Sequence, residues 1–306
     1  MLAEPPPAGD LAVVRLDPVA ALVRRLQTAQ RRSEAPHEFE SALAEAFAFL
    51  GFAVERLGGP GETDLVLTAH LGADSYRVIV DAKTSKNGKV TENQINWPVL
   101  AQHRKHHGAT DAVVVGEEFG GGNLLRFATE YGVTLLRTAD LGAVLERHAA
   151  TPFTLLDLRD LFATTGSNHE GLAALRRRSA DAQRRWRLLG AVIAREAVRW
   201  TASPHHARIP QPPRLTAEAL YAVFIAQAGQ AGNLSDVPSL DDLKAALEFL
   251  SNPALGILRR LPGSDDAFHL TLSPQMAWRR LSALARTVEA TLAPLAALAV
   301  GTGSAG

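Results

Sequence analysis

Cysteine is absent from the 306 residues. That excludes a disulfide scaffold and any zinc site built on thiolates, and it fits a reducing compartment. Long hydrophobic runs are missing as well: no stretch approaches the roughly 20 apolar residues of a membrane span. The opening MLAEPPPAGD has no basic segment leading into an apolar core, so no signal peptide is expected and a cytoplasmic location is. Net charge is the third absence. Lys and Arg (32) balance Asp and Glu (32), which gives no overall sign of a polyanionic partner.

The balance holds only on average. Residues 1–150 carry 15 Lys/Arg against 19 Asp/Glu, residues 151–214 carry 11 against 5, and residues 215–306 carry 6 against 8. A basic middle is flanked by two acidic parts, and local asymmetry of this kind is how an electrostatic footprint looks. The rest is ordinary for a globular protein, with 46% hydrophobic and 21% charged residues.

Apolar periodicity divides the chain. LDPVAALVRRLQTAQRRS (16–33) reads as a short helix with Val19, Leu22, Val23 and Leu26 on one face. PHEFESALAEAFAFLGF begins a second helix at Pro36 that stops at Gly51. Strands follow in FAVERL, TDLVLTAHL and SYRVIVDAK, then a helix over TENQINWPVLAQHRKHHG. DAVVVGEEF is a continuous apolar strand of the doubly buried type. GNLLRFATEYG, VTLLRT and ADLGAVLERHA add a helix, a strand and a helix. Four parts are therefore expected: an N-terminal helical extension (1–35), a mixed α/β domain (36–150), a basic helical segment with a Pro-rich linker (151–214), and a C-terminal module (215–306). The last reads as helix, helix, hairpin, helix, compatible with a winged helix. Beyond residue 151 the pattern is mainly helical.

The stretch VIVDAKTSKNGK (78–89) carries chemistry. Residues i and i+2 of a strand share a face, about 7 Å apart at the Cα atoms, so Asp81 and Lys83 project together past an apolar strand. The preceding strand opens with Asp64. If the two strands pair as a hairpin, Asp64 and Asp81 converge at one edge. Two convergent carboxylates suit a hard cation such as Mg²⁺. A lysine beside it can position a water and neutralise developing negative charge, which are the parts needed to hydrolyse a phosphodiester.

Asp64 followed by Asp81-Ala82-Lys83 resembles the D…(D/E)xK signature of the PD-(D/E)xK nuclease superfamily. FESALAEAFAFLGFAVERLGGPGETDLVL and the distal GATDAVVVGEEF…LLRFATEYGVTLLRTADLGAVL are similar to its Mrr-like restriction endonuclease branch. Thr63 stands where the superfamily's eponymous proline would be. The resemblance covers about residues 36–148 and implies a restriction-endonuclease-like α-β-β-β-α-β core. It implies that Asp64, Asp81 and Glu40 bind Mg²⁺ (with Mn²⁺ as substitute), that Lys83 is the base or charge stabiliser, and that Gln94 contacts the scissile phosphate or Lys83. DNA is the implied partner, a homodimer the implied assembly, and restriction or defence the implied setting. Two alternatives stay open: an RNA- or structure-specific nuclease switched on by a ligand or partner protein through the C-terminal half, and a non-catalytic DNA-binding protein with a decayed nuclease fold.

Three further features carry weaker signals. Arg176, Arg177, Arg184, Arg185 and Arg187, with Trp186 among them, suit phosphate oxygens of DNA, or equally coat the solvent side of an amphipathic helix. His103 and His107, four residues apart on one helix face, have a zinc-compatible spacing but no third ligand, which favours a solvated basic helix end. EEFGGGN lacks the lysine of a phosphate-binding loop and reads as a turn.

Overall fold

The computed structural model describes residues 9–57, 62–202, 214–231, 237–272 and 276–288. It divides into two compact units, Met1–Ala182 and Gln183–Gly306.

The first unit opens with α1 (Gly9–Ala29), which carries Pro18 inside it, and α2 (Pro36–Phe49). Pro36 occupies the first turn of α2, where its missing N–H is no loss. The helix ends because Gly51 adopts φ +99°. The Gly51 amide donates to Ala48 O and the Phe52 amide to Phe47 O, which satisfies carbonyls the helix leaves open. The Phe52 ring meets Phe47 edge-on at 6.3 Å.

The strands follow: β1 (Ala53–Arg56), β2 (Leu65–Ala69), β3 (Tyr76–Ala82), the short β4 (Lys89–Val90), and, after α3 (Trp97–His106), β5 (Asp111–Gly116) and β6 (Glu118–Phe119). Then come α4 (Leu124–Glu130), β7 (Val133–Arg137), α5 (Thr138–Ala150), α6 (Leu155–Ala163), β8 (Gly166–Ser167) and α7 (His169–Ala202). The main sheet has the order β1-β2-β3-β5-β7-β8. β1, β2 and β3 pair antiparallel, whereas β3, β5, β7 and β8 pair parallel. The fold is thus the mixed α/β architecture expected.

Side-chain alternation makes the sheet the middle of three layers. Leu65, Leu67, Val78, Val80, Val113 and Val115 share a core with α1, α2, α5 and α6. Val66, Ile79, Ala112, Val114 and Leu135 face the opposite way, onto α3 and α4. By the same alternation Asp81, two residues after Ile79, belongs to the α3 side.

Four expectations change. The helix read over 91–108 is two pieces: a 3-10 turn at Glu92–Gln94, then α3 from Trp97. Pro98 is accommodated by lying in the first turn of α3, where Asn96 caps the amide of Val99. The N-terminal helix is no extension. Val19, Leu22, Val23, Leu26 and Ala29 are buried in the main core, so α1 is part of the domain. The domain also runs past residue 150, because Leu158, Leu161 and Phe162 of α6 enter the same core and β8 extends the sheet beside β7. Strands therefore do continue beyond residue 151. The Pro-rich linker, residues 203–213, lies outside the described residues.

The second unit is described by itself. Leu188, Val192 and Ile193 of α7 share a core with α8 (Ala217–Ala231), α9 (Leu240–Leu250) and a hairpin of β9 (Leu258–Arg260) with β10 (Phe268–Leu270). Ser239 caps α9 by accepting the Asp242 amide. Residues 276–288 are helical. Helix, helix, hairpin, helix is the order read from the sequence.

Candidate active site

Antiparallel pairing sets Leu65 opposite Val80, so Asp64 at the start of β2 stands opposite Asp81 at the end of β3. Thr63 anchors the approach: its buried hydroxyl donates to Val80 O at 3.0 Å. Asp64 Oδ2 accepts the Ala82 amide at 2.6 Å, a charge-assisted bond across the strand ends. The Lys83 amide in turn donates to Val115 O at 2.8 Å, fixing the residue against the end of β5.

Asp81 and Lys83 share a face, as period-two geometry requires. Lys83 Nζ donates to Asp81 Oδ1 at 2.9 Å and stands equally far from Oδ2. Yet Oδ2 is buried and makes no hydrogen bond. The ion pair with Lys83 is what compensates this oxygen, against the cost of taking both charges out of water.

Electrostatics describe the same strain. Burial pushes the Asp64 carboxyl up to about 6, helped by the negative charges of Asp81 and Glu40; the Ala82 amide and Lys83 pull the other way. Burial also pushes Asp81 up, against Lys83 and the nearby His103. Two acids held near one another in a desolvated place favour an added cation.

Among the described residues no three His, Cys, Asp or Glu side chains converge closely enough to hold a metal by themselves. The donors present nevertheless fit Mg²⁺, which binds through one or two carboxylates and retains waters. Asp64 and Asp81 supply hard oxygen ligands, Asp81 through a carboxylate that Lys83 already pairs with.

The remaining expected residues separate. Glu40, on α2, is close enough to Asp64 to raise its pKa, and its Oε2 lies 3.9 Å from the Arg56 guanidinium. Gln94 is engaged elsewhere: its Oε1 accepts the Thr91 amide at 2.8 Å, closing a reciprocal cap on the 3-10 turn. No recorded contact joins it to Asp64, Asp81 or Lys83. His103, whose ring lies 6.5 Å from that of His107, is also near enough for its charge to act on Asp81, because α3 covers that side of the sheet. Knowing which face of α3 packs on β3 would have been needed to find it.

The five arginines fall in both units. Arg176 and Arg177 are exposed on the first; Arg184, Arg185 and Arg187 are exposed on the second. Arg185 sits 3.6 Å from Asp242, and Arg187 donates to Gln183. Their neighbour Arg178 pairs with Asp157 and Asp160. Trp186 is exposed.

Residues 31–145 match the restriction endonuclease family. Over this segment, rather more than a third of the chain, the protein is similar to that family. The match spans both acids, Lys83 and the strands that hold them. Among solved structures, the chain is similar to the restriction endonuclease FokI at 19% identity and a TM-score of 0.39, covering 47% of this chain and 30% of that one. For FokI bound to DNA the values are 17%, 0.40, 53% and 33%. For the DNA modification-dependent restriction endonuclease AspBHI they are 15%, 0.31, 59% and 45%. The chain thus spans less than half of each of these proteins. No curated protein matches it. α1 and Gln30 precede the matched segment, although α1 is built into the same core.

Proposed function

We propose that the protein is a metal-dependent endonuclease that hydrolyses DNA phosphodiester bonds. The observation that carries this reading is the junction of Asp64, Asp81 and Lys83 at adjoining strand ends, with the buried Asp81 carboxylate paired to the Lys83 ammonium. Asp64 and Asp81 would hold Mg²⁺, with Glu40 in support. The ion would supply Lewis-acid polarisation of the phosphate and acidify a bound water.

The chain's own part follows from its geometry. Lys83, held by its amide on Val115 O and by its ammonium on Asp81, orients the attacking water and offsets charge developing on the phosphate oxygens. Asp81 keeps that ammonium aimed at the edge of the sheet. Burial of both acids lowers the local dielectric, so each of these interactions is stronger than in water. Exposed Arg176 and Arg177 would add backbone contacts to DNA. The second unit, with its two-helix and hairpin order, would orient the substrate in the manner of a winged helix. One such centre cuts one strand, so double-strand cleavage would use a homodimer. Restriction of foreign DNA in the cytoplasm is the proposed setting; no described helix is long and apolar enough to cross a membrane.

The test is cleavage of plasmid, linear, methylated and RNA substrates with Mg²⁺ or Mn²⁺, comparing wild type with Lys83→Ala. DNA cutting that needs the metal and disappears in the variant, with DNA binding retained, supports the reading. Equal cutting by both proteins, or cutting in EDTA, would sink it. RNA cut in preference to DNA would move the substrate class.

A further inference from the structure

The loop that follows Lys83 is held at the very start of the matched segment, by Gln30 just before it and Arg31, its first residue. Gln30, one residue beyond the end of α1, accepts the Ser85 amide on its carbonyl at 2.9 Å. Its own side chain is buried, with Oε1 unsatisfied. Arg31 reaches Glu117, donating from Nε to Oε1 at 3.0 Å and to Oε2 at 2.8 Å, with a further bond from its terminal nitrogen. Glu117 lies directly after β5, the strand whose Val115 carbonyl receives the Lys83 amide.

The same few residues then close on one another. Gly88 takes φ +71°, and a Cβ there would stand 3.0 Å from the Glu117 carboxylate. The Glu118 amide donates to Gly88 O at 3.1 Å, the Gly88 amide to Ser85 O at 3.0 Å, and Ser85 Oγ to Lys89 O at 2.9 Å. Lys83–Lys89 is therefore a short loop fixed at three places: by β5 at Lys83, by the end of α1 at Ser85, and by the Glu118 amide at Gly88, over which the Glu117 carboxylate lies. The first lies in the strand frame. The second depends on Gln30, and the third is made by the residue next to Glu117, whose side chain Arg31 holds.

We infer that the C-terminal end of α1, through Gln30 and the Arg31–Glu117 pair, is a positioning element for Lys83. It acts by holding the 84–89 loop in the one arrangement that aims the lysine at Asp81. This rests on the nuclease reading above. The physical reason is leverage. Lys83 is the first residue after β3, and its backbone has one strand-type bond left. Without the second and third anchors, the peptide after Lys83 is free to rotate, and a displacement of about 1 Å at a reacting group can cost up to about a hundredfold in rate. A helix that is part of the core supplies the needed rigidity, because Leu26 and Ala29 of its last turns are buried. Gln30 and Arg31 are positioning residues, not catalytic ones, since neither touches Asp64, Asp81 or Lys83.

The experiment is a double-mutant cycle on the full chain with Arg31→Ala, Glu117→Ala and the pair together, with Arg31→Lys as the conservative variant. Two readouts are taken: the single-turnover cleavage rate at saturating DNA, and amide hydrogen exchange at Ser85 and Gly88 compared with Val78–Val80. Each single variant should exchange faster in the loop but not in β3. Each should cut about fivefold more slowly with DNA affinity unchanged, as expected of one ordered surface pair. The double variant should be no slower than either single one, and Arg31→Lys should recover part of the rate. Faster loop exchange with unchanged cutting would overturn the inference, because the contact would then be structural only. Additive losses would overturn it too. A wild type that cuts no substrate would defeat the nuclease reading instead, and unchanged loop exchange in the variants would separately defeat the latch.

Discussion

Asp64→Asn should make the metal-free protein more stable while abolishing cleavage. The carboxyl of Asp64 is raised from 3.8 to about 6 by burial, so folding favours its protonated form. Between these two values the native state binds more protons than the unfolded chain, and stability therefore falls as pH rises. Below about pH 4 both states are protonated and the site costs nothing. Above about pH 6 the native state carries the full penalty, roughly 3 kcal/mol for a displacement of about two units at 1.36 kcal/mol each. Asparagine has the same shape and no charge to desolvate, and its side-chain oxygen can still accept the Ala82 amide. The assay is native-state hydrogen exchange of the Val78–Val80 amides in EDTA, corrected for intrinsic rates, because these amides report on the first unit alone. Relative to wild type, the variant should gain on the order of 3 kcal/mol between acid and mildly alkaline pH. Mg²⁺ should narrow the gap by stabilising wild type only. A variant less stable than wild type at alkaline pH, or a difference that does not change with pH, would refute the account of a desolvated metal carboxylate.

The same carboxyl predicts the pH dependence of cleavage. The rate should rise as pH climbs through about 6, where Asp64 ionises, and the midpoint should move to lower pH as Mg²⁺ is increased, since metal and proton compete for it; a midpoint indifferent to Mg²⁺ would contradict this. Leu26→Ala should cost roughly 2–5 kcal/mol, because Leu26 is fully buried under the sheet; urea denaturation showing a change of a few tenths would mean α1 is peripheral. Gln94→Ala should leave the cleavage rate within about twofold, since its Oε1 is spent on Thr91, and single-turnover kinetics decide this. Arg176→Ala with Arg177→Ala should weaken DNA binding across sequences and flatten the salt dependence by about two units of slope if both meet phosphates; an unchanged slope in titrations at several salt concentrations would leave them as a solvated face.

Local pattern made much of this legible. Period-two alternation placed Asp81 and Lys83 on one face. The apolar run DAVVVG marked β5 as doubly buried, and it lies between β3 and β7. Gly51 marked the end of α2, where its positive φ is now seen. What was missed depends on long-range packing, which spacing along the chain does not encode. The stripe of Val19, Leu22, Val23 and Leu26 announced a helix, but not that its partner is a core assembled from residues 39 to 175. Glycine and serine at β8 carry no strand signature; β7 recruits them by backbone pairing. The periodicity of α3 did not say which side would face β3, so His103 read as part of a solvated basic helix end instead of a neighbour of Asp81.

The position of the site follows from where the sheet changes its rule. β3 has an antiparallel neighbour in β2 and a parallel neighbour in β5. Consequently the beginning of β2 meets the ends of β3 and β5 along one edge. Asp64 comes from a strand start, Asp81 and Lys83 from a strand end, and the Val115 carbonyl that holds Lys83 from the neighbouring end. Had β2 run parallel to β3, a five-residue strand at about 3.3 Å per residue would put Asp64 roughly 17 Å from Asp81. Two acids would then never share a cation. The reversal also explains why so few residues suffice. Each strand contributes its last or first polar side chain just where the apolar ladder stops, and the backbone bonds from Ala82 and Lys83 finish the sheet while they fix the chemistry.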